Sequence, residues 1–236
     1  MLNQGVIRSI IYVLERNRFV RQNFIATQTN SLFLVRIFNI KVVHTAILLL
    51  KYAIIGFKSA CDLLLLDMLI KTVREKTPAY GSNCFFAENA TLIGDIVMGD
   101  DCSVWYQAVV RGDVHSIRIG NRVNIQDGAV IHATYQKSPT QIGNNVSIGH
   151  NAIVHGCTLH DNVLVGMGAI VMDDCVVESN SIIGAGAVLT QGTIVPSGTI
   201  FGGVPAKKIK EVSQDLLEGE IHRIANNYLH YADWFR

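Results

Sequence analysis

Residues 159–201 read LHDNVL VGMGAI VMDDCV VESNSI IGAGAV LTQGTI VPSGTI F, and their spacing decides the fold. An apolar side chain returns every sixth residue, at Leu159, Val165, Val171, Val177, Ile183, Leu189, Val195 and Phe201, without a slip. Four places after each of the first seven stand the smaller residues Val163, Ala169, Cys175, Ser181, Ala187, Thr193 and Thr199. A beat of six matches neither the α-helical 3.6 nor the alternation of a single amphipathic strand. It suits a parallel β-helix, in which each hexad forms one flat side with one large residue pointing inward and a small residue at the fifth place where the chain turns a corner. Three sides close a triangular coil of about 18 residues, and successive coils stack about 4.8 Å apart. A β-sandwich, with strands every 8 to 12 residues or so, would not keep this beat.

The same beat runs upstream through Phe86, Leu92, Met98, Val104 and Val110, then Ile119, Ile125 and Ile131, then Ile142, Ile148 and Val154, with insertions between the blocks. Residues 86–206 therefore hold about seven coils. A solenoid needs its ends covered, and Val212, Leu216, Leu217, Ile221, Ile224, Tyr228 and Leu229 recur at helical spacing. A helix over 211–230, packed along the coils, is the expectation. The fold class is mainly β: a β-helix domain over 68–210, a C-terminal helix within 211–236, and an N-terminal extension over 1–67.

Composition sets outer bounds. With 236 residues, 49% apolar and 17% charged, the chain can bury a core and is not an intrinsically disordered polymer. Its five cysteines are widely spaced and form no C-x-x-C pair, so neither a disulfide framework nor a thiolate zinc module is indicated, and a reducing compartment is the simpler expectation. Charge is uneven. Residues 1–67 hold eight Lys/Arg against three Asp/Glu, and their apolar runs are broken by Lys51, Lys58 and Asp62. A membrane span wants about 20 mostly apolar residues, so a true span is disfavoured, and the extension reads as a membrane-associated or organelle-targeting segment, a surface helix, or a start assigned upstream of Met68. A chain beginning at Met68 is then expected to be soluble and fully active. The expected location is cytoplasmic, with mitochondrial or membrane-associated placement through residues 1–67 as the alternative.

Three of the eight histidines, His132, His150 and His155, fall where the beat is interrupted. If Ile119, Ile125 and Ile131 begin the sides of one coil, and Ile142, Ile148 and Val154 those of the next, His132 and His155 share the second place of the third side and stack. Imidazoles about 4.8 Å apart at the backbone can converge on one cation with bonds of about 2.0 to 2.1 Å. His150 lies across a corner and reaches such an ion only from a neighbouring copy, about a three-fold axis. The pattern predicts a homotrimer with zinc at its subunit interfaces.

Around the histidines lie Trp105, Arg111-Gly112-Asp113, Asn124-Ile125-Gln126-Asp127, the stretch from Gly149 through Gly156, and Gly203-Val204-Pro205-Ala206-Lys207. In these residues, over about 71–230, the chain closely resembles the γ-class carbonic anhydrases, homotrimeric zinc enzymes built on a left-handed β-helix. The resemblance implies reversible hydration of carbon dioxide to bicarbonate, with zinc, or iron or cobalt in its place, held by His132, His150 and His155. It implies that Gln126 hydrogen-bonds the zinc-bound water, that Arg111 with Asp113 and Asp127 forms ion pairs across the interface, that Asn124 lines the pocket, and that Tyr228 reaches it from the tail. The chain departs from the family's well-studied active members at two places. Val114 follows Asp113, and residues 133–138 follow His132, with no carboxylate where those members carry proton-relay glutamates. Low activity is the consequence, and the chain is closer to the shorter members.

Two other functions share parts of this pattern. A hexapeptide acyltransferase using coenzyme A has the same coil and the Val204-Pro205-Ala206-Lys207 ending, but needs one histidine base, whereas three converging imidazoles make better sense around a cation. A non-catalytic subunit of a respiratory complex is the other. Gly166-Met167-Gly168 and Gly184-Ala185-Gly186 mimic a dinucleotide fingerprint yet open no helix, so their glycines are assigned to corners of the coil. No basic patch with interleaved aromatics points to nucleic acid.

Overall fold

The computed structural model describes residues 68–236. The extension 1–67, with every expectation placed on it, lies outside the described residues. The remainder is a parallel β-helix of about seven coils, of the left-handed kind that hexapeptide repeats build. Its first face stacks β3 (Phe85–Phe86), β5 (Ser103–Val104), β7 (Asn124–Ile125), β10 (Ser147–Ile148), β13 (Leu164–Val165), β16 (Ile182–Ile183) and β19 (Thr199–Gly202), all parallel. The second face begins with β1 (Leu69–Lys71) and the leading halves of β4 (Thr91–Met98) and β6 (Val109–Ile119). It continues through β8 (Val130–His132), β11 (Ile153–His155), β14 (Ile170–Val171) and β17 (Val188–Leu189). On the third face β2 (Ala79–Tyr80) and the trailing halves of β4 and β6 lead to β9 (Thr140–Ile142), β12 (Thr158–Leu159), β15 (Val176–Val177) and β18 (Ile194–Val195). The strands β4 and β6 run round the corner unbroken, which joins the second and third faces into one sheet.

Inward residues define the register. Leu92, Val110, Ile131, Val154, Val171 and Leu189 lie in one column on the second face, each fully buried. Apolar burial is the dominant favourable term here, and the parallel ladder satisfies the backbone groups that burial strips of water. The corners differ in detail from the sequence reading. The fifth-place residues Val163, Ala169, Cys175, Ser181 and Ala187 are buried inside the corner, as small residues must be. The turn itself is made one place earlier, by Asn162, Asp174 and Asn180 at φ of 57°, 61° and 60° and by Gly168 and Gly186 at 66° and 67°. Asn and Asp tolerate this left-handed conformation better than other non-glycine residues. The corner asparagines also form a ladder: Asn145 Nδ2 donates to Asn162 Oδ1 at 2.9 Å and Asn162 Nδ2 to Asn180 Oδ1 at 3.0 Å.

The tail is helical from Gln214 to Asp233 rather than over 211–230. Lys207–Glu211 is instead taken up as β20, which pairs antiparallel with β19. Ser213 caps the first turn, Gln214–Leu216, by accepting the Leu216 N–H at 3.3 Å; a π-helical stretch, Leu217–His222, then leads into α1 (Arg223–Asp233). Ile221, Ala225 and Ala232 are buried on the inner side. Tyr228 meets Trp105 edge-on at 5.2 Å, and Phe235 packs against Phe85 and Trp105 at 5.5 and 5.6 Å, which seats the tail on the first face. Among the described residues no helix is long and apolar enough to cross a membrane.

Truncating one inward residue tests the column. Ile148→Ala removes a fully buried side chain and is expected to cost about 2 to 5 kcal/mol. Urea unfolding followed by circular dichroism would measure it, and a change within error of zero would show that the interior is not close-packed there.

Candidate metal centre

Two coils carry extra residues. Val104 pairs with Ile125 and Ile125 with Ile148, so partners are 21 and 23 residues apart there, against the regular 18 at Leu159 and Val177. Within the longer step the register places His155 directly beside His132. His132 Nδ1 and His155 Nε2 lie 3.1 Å apart. The outer nitrogen of each ring is held by a carboxylate: His132 Nε2 by Asp113 Oδ1 at 3.1 Å, and His155 Nδ1 by Asp173 Oδ1 at 2.5 Å.

These contacts determine where the ring protons sit. A carboxylate only accepts, so a neutral ring held in this way carries its proton on the outer nitrogen and keeps its lone pair on the nitrogen that faces the other ring. Burial keeps the His132 pKa below the ordinary histidine range despite Asp113, and the ring is neutral at neutral pH. Burial opposes ionisation of Asp113, yet hydrogen bonds from Arg111 and His132 outweigh it and hold the carboxyl below the usual range. In Asp173 burial is likewise overcome, by hydrogen bonds from Thr134 and His155. Two lone pairs aimed at one another repel unless something positive lies between them. The 3.1 Å gap compares with about 3.3 Å between two nitrogens bound tetrahedrally to one zinc at about 2.0 to 2.1 Å. The donor set fits a divalent cation, and carboxylate–histidine pairs of this kind are the usual outer support of such ligands.

His150 is built the same way on the corner between the first and second faces. Its Nδ1 lies 2.9 Å from Asp127 Oδ2, one coil away, which leaves Nε2 as its lone-pair nitrogen, with the Tyr228 hydroxyl 3.4 Å from it. Among the described residues no three His, Cys, Asp or Glu side chains of one chain gather into a complete metal-binding group.

A family profile described as bacterial transferase hexapeptide (six repeats) matches residues 156–191. The carbonic anhydrase of Geobacillus kaustophilus is 38% identical over 168 residues, covering 71% of this chain and 91% of that protein. The chain belongs to the γ-class carbonic anhydrase-like family of hexapeptide-repeat proteins. The mitochondrial gamma carbonic anhydrase 2 of Arabidopsis thaliana is 39% identical, over 69% of this chain and 60% of its own length. Among solved structures, a hexapeptide transferase family protein from Anaplasma phagocytophilum superposes with a TM-score of 0.68 at 39% identity, covering 71% of this chain and 98% of that one.

In this γ-carbonic-anhydrase-like chain the remaining residues singled out from sequence fall near the histidines by different routes. Gln126 is buried; its Nε2 donates to Asn124 Oδ1 at 2.9 Å, and Asn124 Nδ2 donates to Ser147 Oγ at 2.7 Å. Arg111 and Asp113, two apart on β6 and so on the same side of the strand, pair within the chain at 2.6 Å, while Asp127 meets His150. Tyr228 lies beside His150, and its phenol is pushed up to about 12 by burial and by the nearby Asp127 and Tyr231.

Sequence reasoning missed Asp173, Thr134 and Thr140. Asp173 Oδ2 accepts from Thr134 Oγ1 at 2.5 Å, and Thr140 Oγ1 donates to the His132 carbonyl at 2.5 Å while accepting the Gly156 N–H at 2.9 Å. Spacing did not single out Asp173: it stands 18 residues after His155, whereas the coil step here is 17, with Val154 beside Val171, so Met172 is the register neighbour of His155 and Asp173 reaches the ring from the next place along. A carboxamide can donate as well as accept, so Asp173→Asn releases the His155 tautomer. If the site holds a divalent cation, the variant's affinity for it is expected to fall about 10–100-fold, read with zinc as the probe by competition with a chromophoric chelator at unchanged circular dichroism; equal affinity would remove Asp173 from the site.

Proposed function

We propose that the protein is a zinc-dependent γ-class carbonic anhydrase that hydrates carbon dioxide reversibly, acting as a homotrimer. Each site takes His132 and His155 of one subunit and His150 of the partner subunit, with iron or cobalt as alternative ions. The observation that carries this reading is the facing pair of nitrogens 3.1 Å apart, each ring fixed from behind by a carboxylate. His150 carries the same carboxylate support but sits 41% exposed, against 16% for His132, as a ligand offered to a second copy would.

Zinc bound there supplies a Lewis acid able to bring the pKa of a water down to about 7. The chain's own residues supply order. Asn124 fixes the Gln126 carboxamide through its Nε2, so Oε1 is the end left to accept a hydrogen bond from the reacting water and turn its lone pair toward carbon dioxide. Tyr228, kept protonated well above neutral pH, offers a neutral hydroxyl that can donate a hydrogen bond into the site. Arg111, paired with Asp113, holds the carboxylate that sets the His132 tautomer. Proton exit is the weak step, because Val114 and residues 133–138 offer no carboxylate.

Metal analysis with stopped-flow hydration tests the reading. Purified protein is expected to carry about one zinc per three-ligand site, hence one per chain, and His132→Ala to lose it together with hydration above the buffer rate. Metal-free protein that retains coenzyme A would instead establish an acyltransferase, as the transferase naming of its structural relative suggests. Since a proton relay is lacking, kcat is expected to rise with imidazole buffer concentration; a rate independent of buffer would show that the chain has another exit route.

A further inference from the structure

Four cysteines of the β-helix stand in two stacked pairs that the metal site does not use. Cys84 and Cys102 immediately precede β3 and β5, and Cys157 and Cys175 immediately precede β12 and β15. The ladders confirm the stacking: the Phe85 N–H donates to the Cys102 carbonyl at 2.9 Å, and the Thr158 N–H donates to the Cys175 carbonyl at 2.9 Å. Residues one coil apart have Cα atoms about 4.8 Å from each other, inside the window of about 4.4 to 6.8 Å that a disulfide spans. The paired thiols also occupy equivalent corners, with Cys84 Sγ donating to the Gly99 carbonyl at 3.3 Å and Cys102 Sγ to the Gly120 carbonyl at 3.2 Å.

The two pairs differ in what surrounds them. Cys157 and Cys175 are both buried mid-solenoid, with coils on either side, and burial pushes both thiols up. Cys84 is half-buried, and among the described residues β3 ends its sheet, so the coil that carries it has a neighbour on one side only. The adjacent Cys102 thiol pulls the Cys84 thiol down to about 7, against the effect of burial, while Cys102 itself is raised by Cys84 and by burial. One thiol of this pair is half-exposed at the end of its sheet, and its partner is buried beside it. That is the arrangement of an attacking and a resolving cysteine. Stacked side chains must still lean together by about 1 Å to bring Cβ atoms to disulfide distance, and an end coil yields more readily than one held between two neighbours.

We infer that Cys84 and Cys102 form a reversible oxidation site for hydroperoxides, closing a disulfide that staples the first coil to the second. The Cys84 thiolate takes the outer oxygen of ROOH, the O–O bond breaks, and RO⁻ leaves and is protonated to ROH. Cys102 sulfur then displaces the hydroxyl of Cys84–SOH, and its own thiol proton departs with that oxygen as water. Sulfur is oxidised by two electrons overall and the peroxide bond is reduced; a thiol reductant reverses the link. The staple lies next to the site proposed above without depending on it, since Phe85, the residue after Cys84, packs at 4.9 Å on Trp105, which meets Tyr228.

The test uses the full chain and hydrogen peroxide, followed by alkylation and peptide mapping without reduction. The expected result is one linked peptide joining Cys84 to Cys102, with Cys157 and Cys175 recovered as free thiols, and full reversal by dithiothreitol. In Cys102→Ser, Cys84 is expected to be trapped by a sulfenic-acid reagent, and in Cys84→Ser, Cys102 to stay reduced. In the wild type, amide exchange at residues 85–87 is expected to slow after oxidation. A link from Cys84 to Cys61 or to another chain, oxidation of Cys84 beyond the sulfenic stage without any link, or equal oxidation of Cys157 and Cys175 would each overturn the inference.

Discussion

Parallel stacking of coils is the constraint on which the rest of the molecule depends. Each coil buries three inward side chains and passes its backbone hydrogen bonds to the coils on either side, so no coil is stable alone and every residue acquires a fixed neighbour one coil away. The neighbour is distant in sequence and adjacent in space. His132 and His155 meet in this way, as do His150 and Asp127, His155 and Asp173, and Cys84 and Cys102.

A solenoid of identical coils would carry identical columns, and chemistry needs a place where the columns differ. Here that place is made by lengthened coils. The extra residues are accommodated as a bulge where β4 and β6 cross the corner, between Gly94 and Ile96, and as a loop closed by the Thr134–Ser138 bridge. Neither disturbs the inward register, since Ile131 still lies beside Val154. The loop is tied down instead of hanging free: Thr134 binds Asp173, Ser138 binds Asp174 at 2.5 Å, and Thr140 bridges the backbones of His132 and Gly156. The insertion thus braces the two stacked histidines against the following coil.

Carboxylates give that brace its chemical meaning. A histidine on a surface strand has two tautomers and rotates freely, and neither suits a ligand. With Asp113, Asp127 and Asp173 behind the three rings, each ring has one orientation and one free lone pair. This carboxylate support is present within a single chain, and it would lower the ordering cost of binding a cation.

The hexad beat from Leu159 to Phe201 settled the architecture before any coordinates, because the period of six belongs to the inward column and is therefore written in residue type. The stacking of His132 on His155 was legible too, since an insertion that leaves the inward register intact can be counted across. What remained hidden depended on directions that spacing does not encode. The turn at the fourth place of the hexad, the antiparallel return of Lys207–Glu211 onto β19, and the meeting of Tyr228 with Trp105 follow from backbone dihedrals and from how the tail packs. Asp173 was equally invisible, because a third-place side chain can point toward or away from the column beside it. Sequence alone therefore determined which residues share a face, through periodic burial. Only the tertiary structure decided which way the rings turn and which nitrogens carry protons, because those follow from contacts between coils.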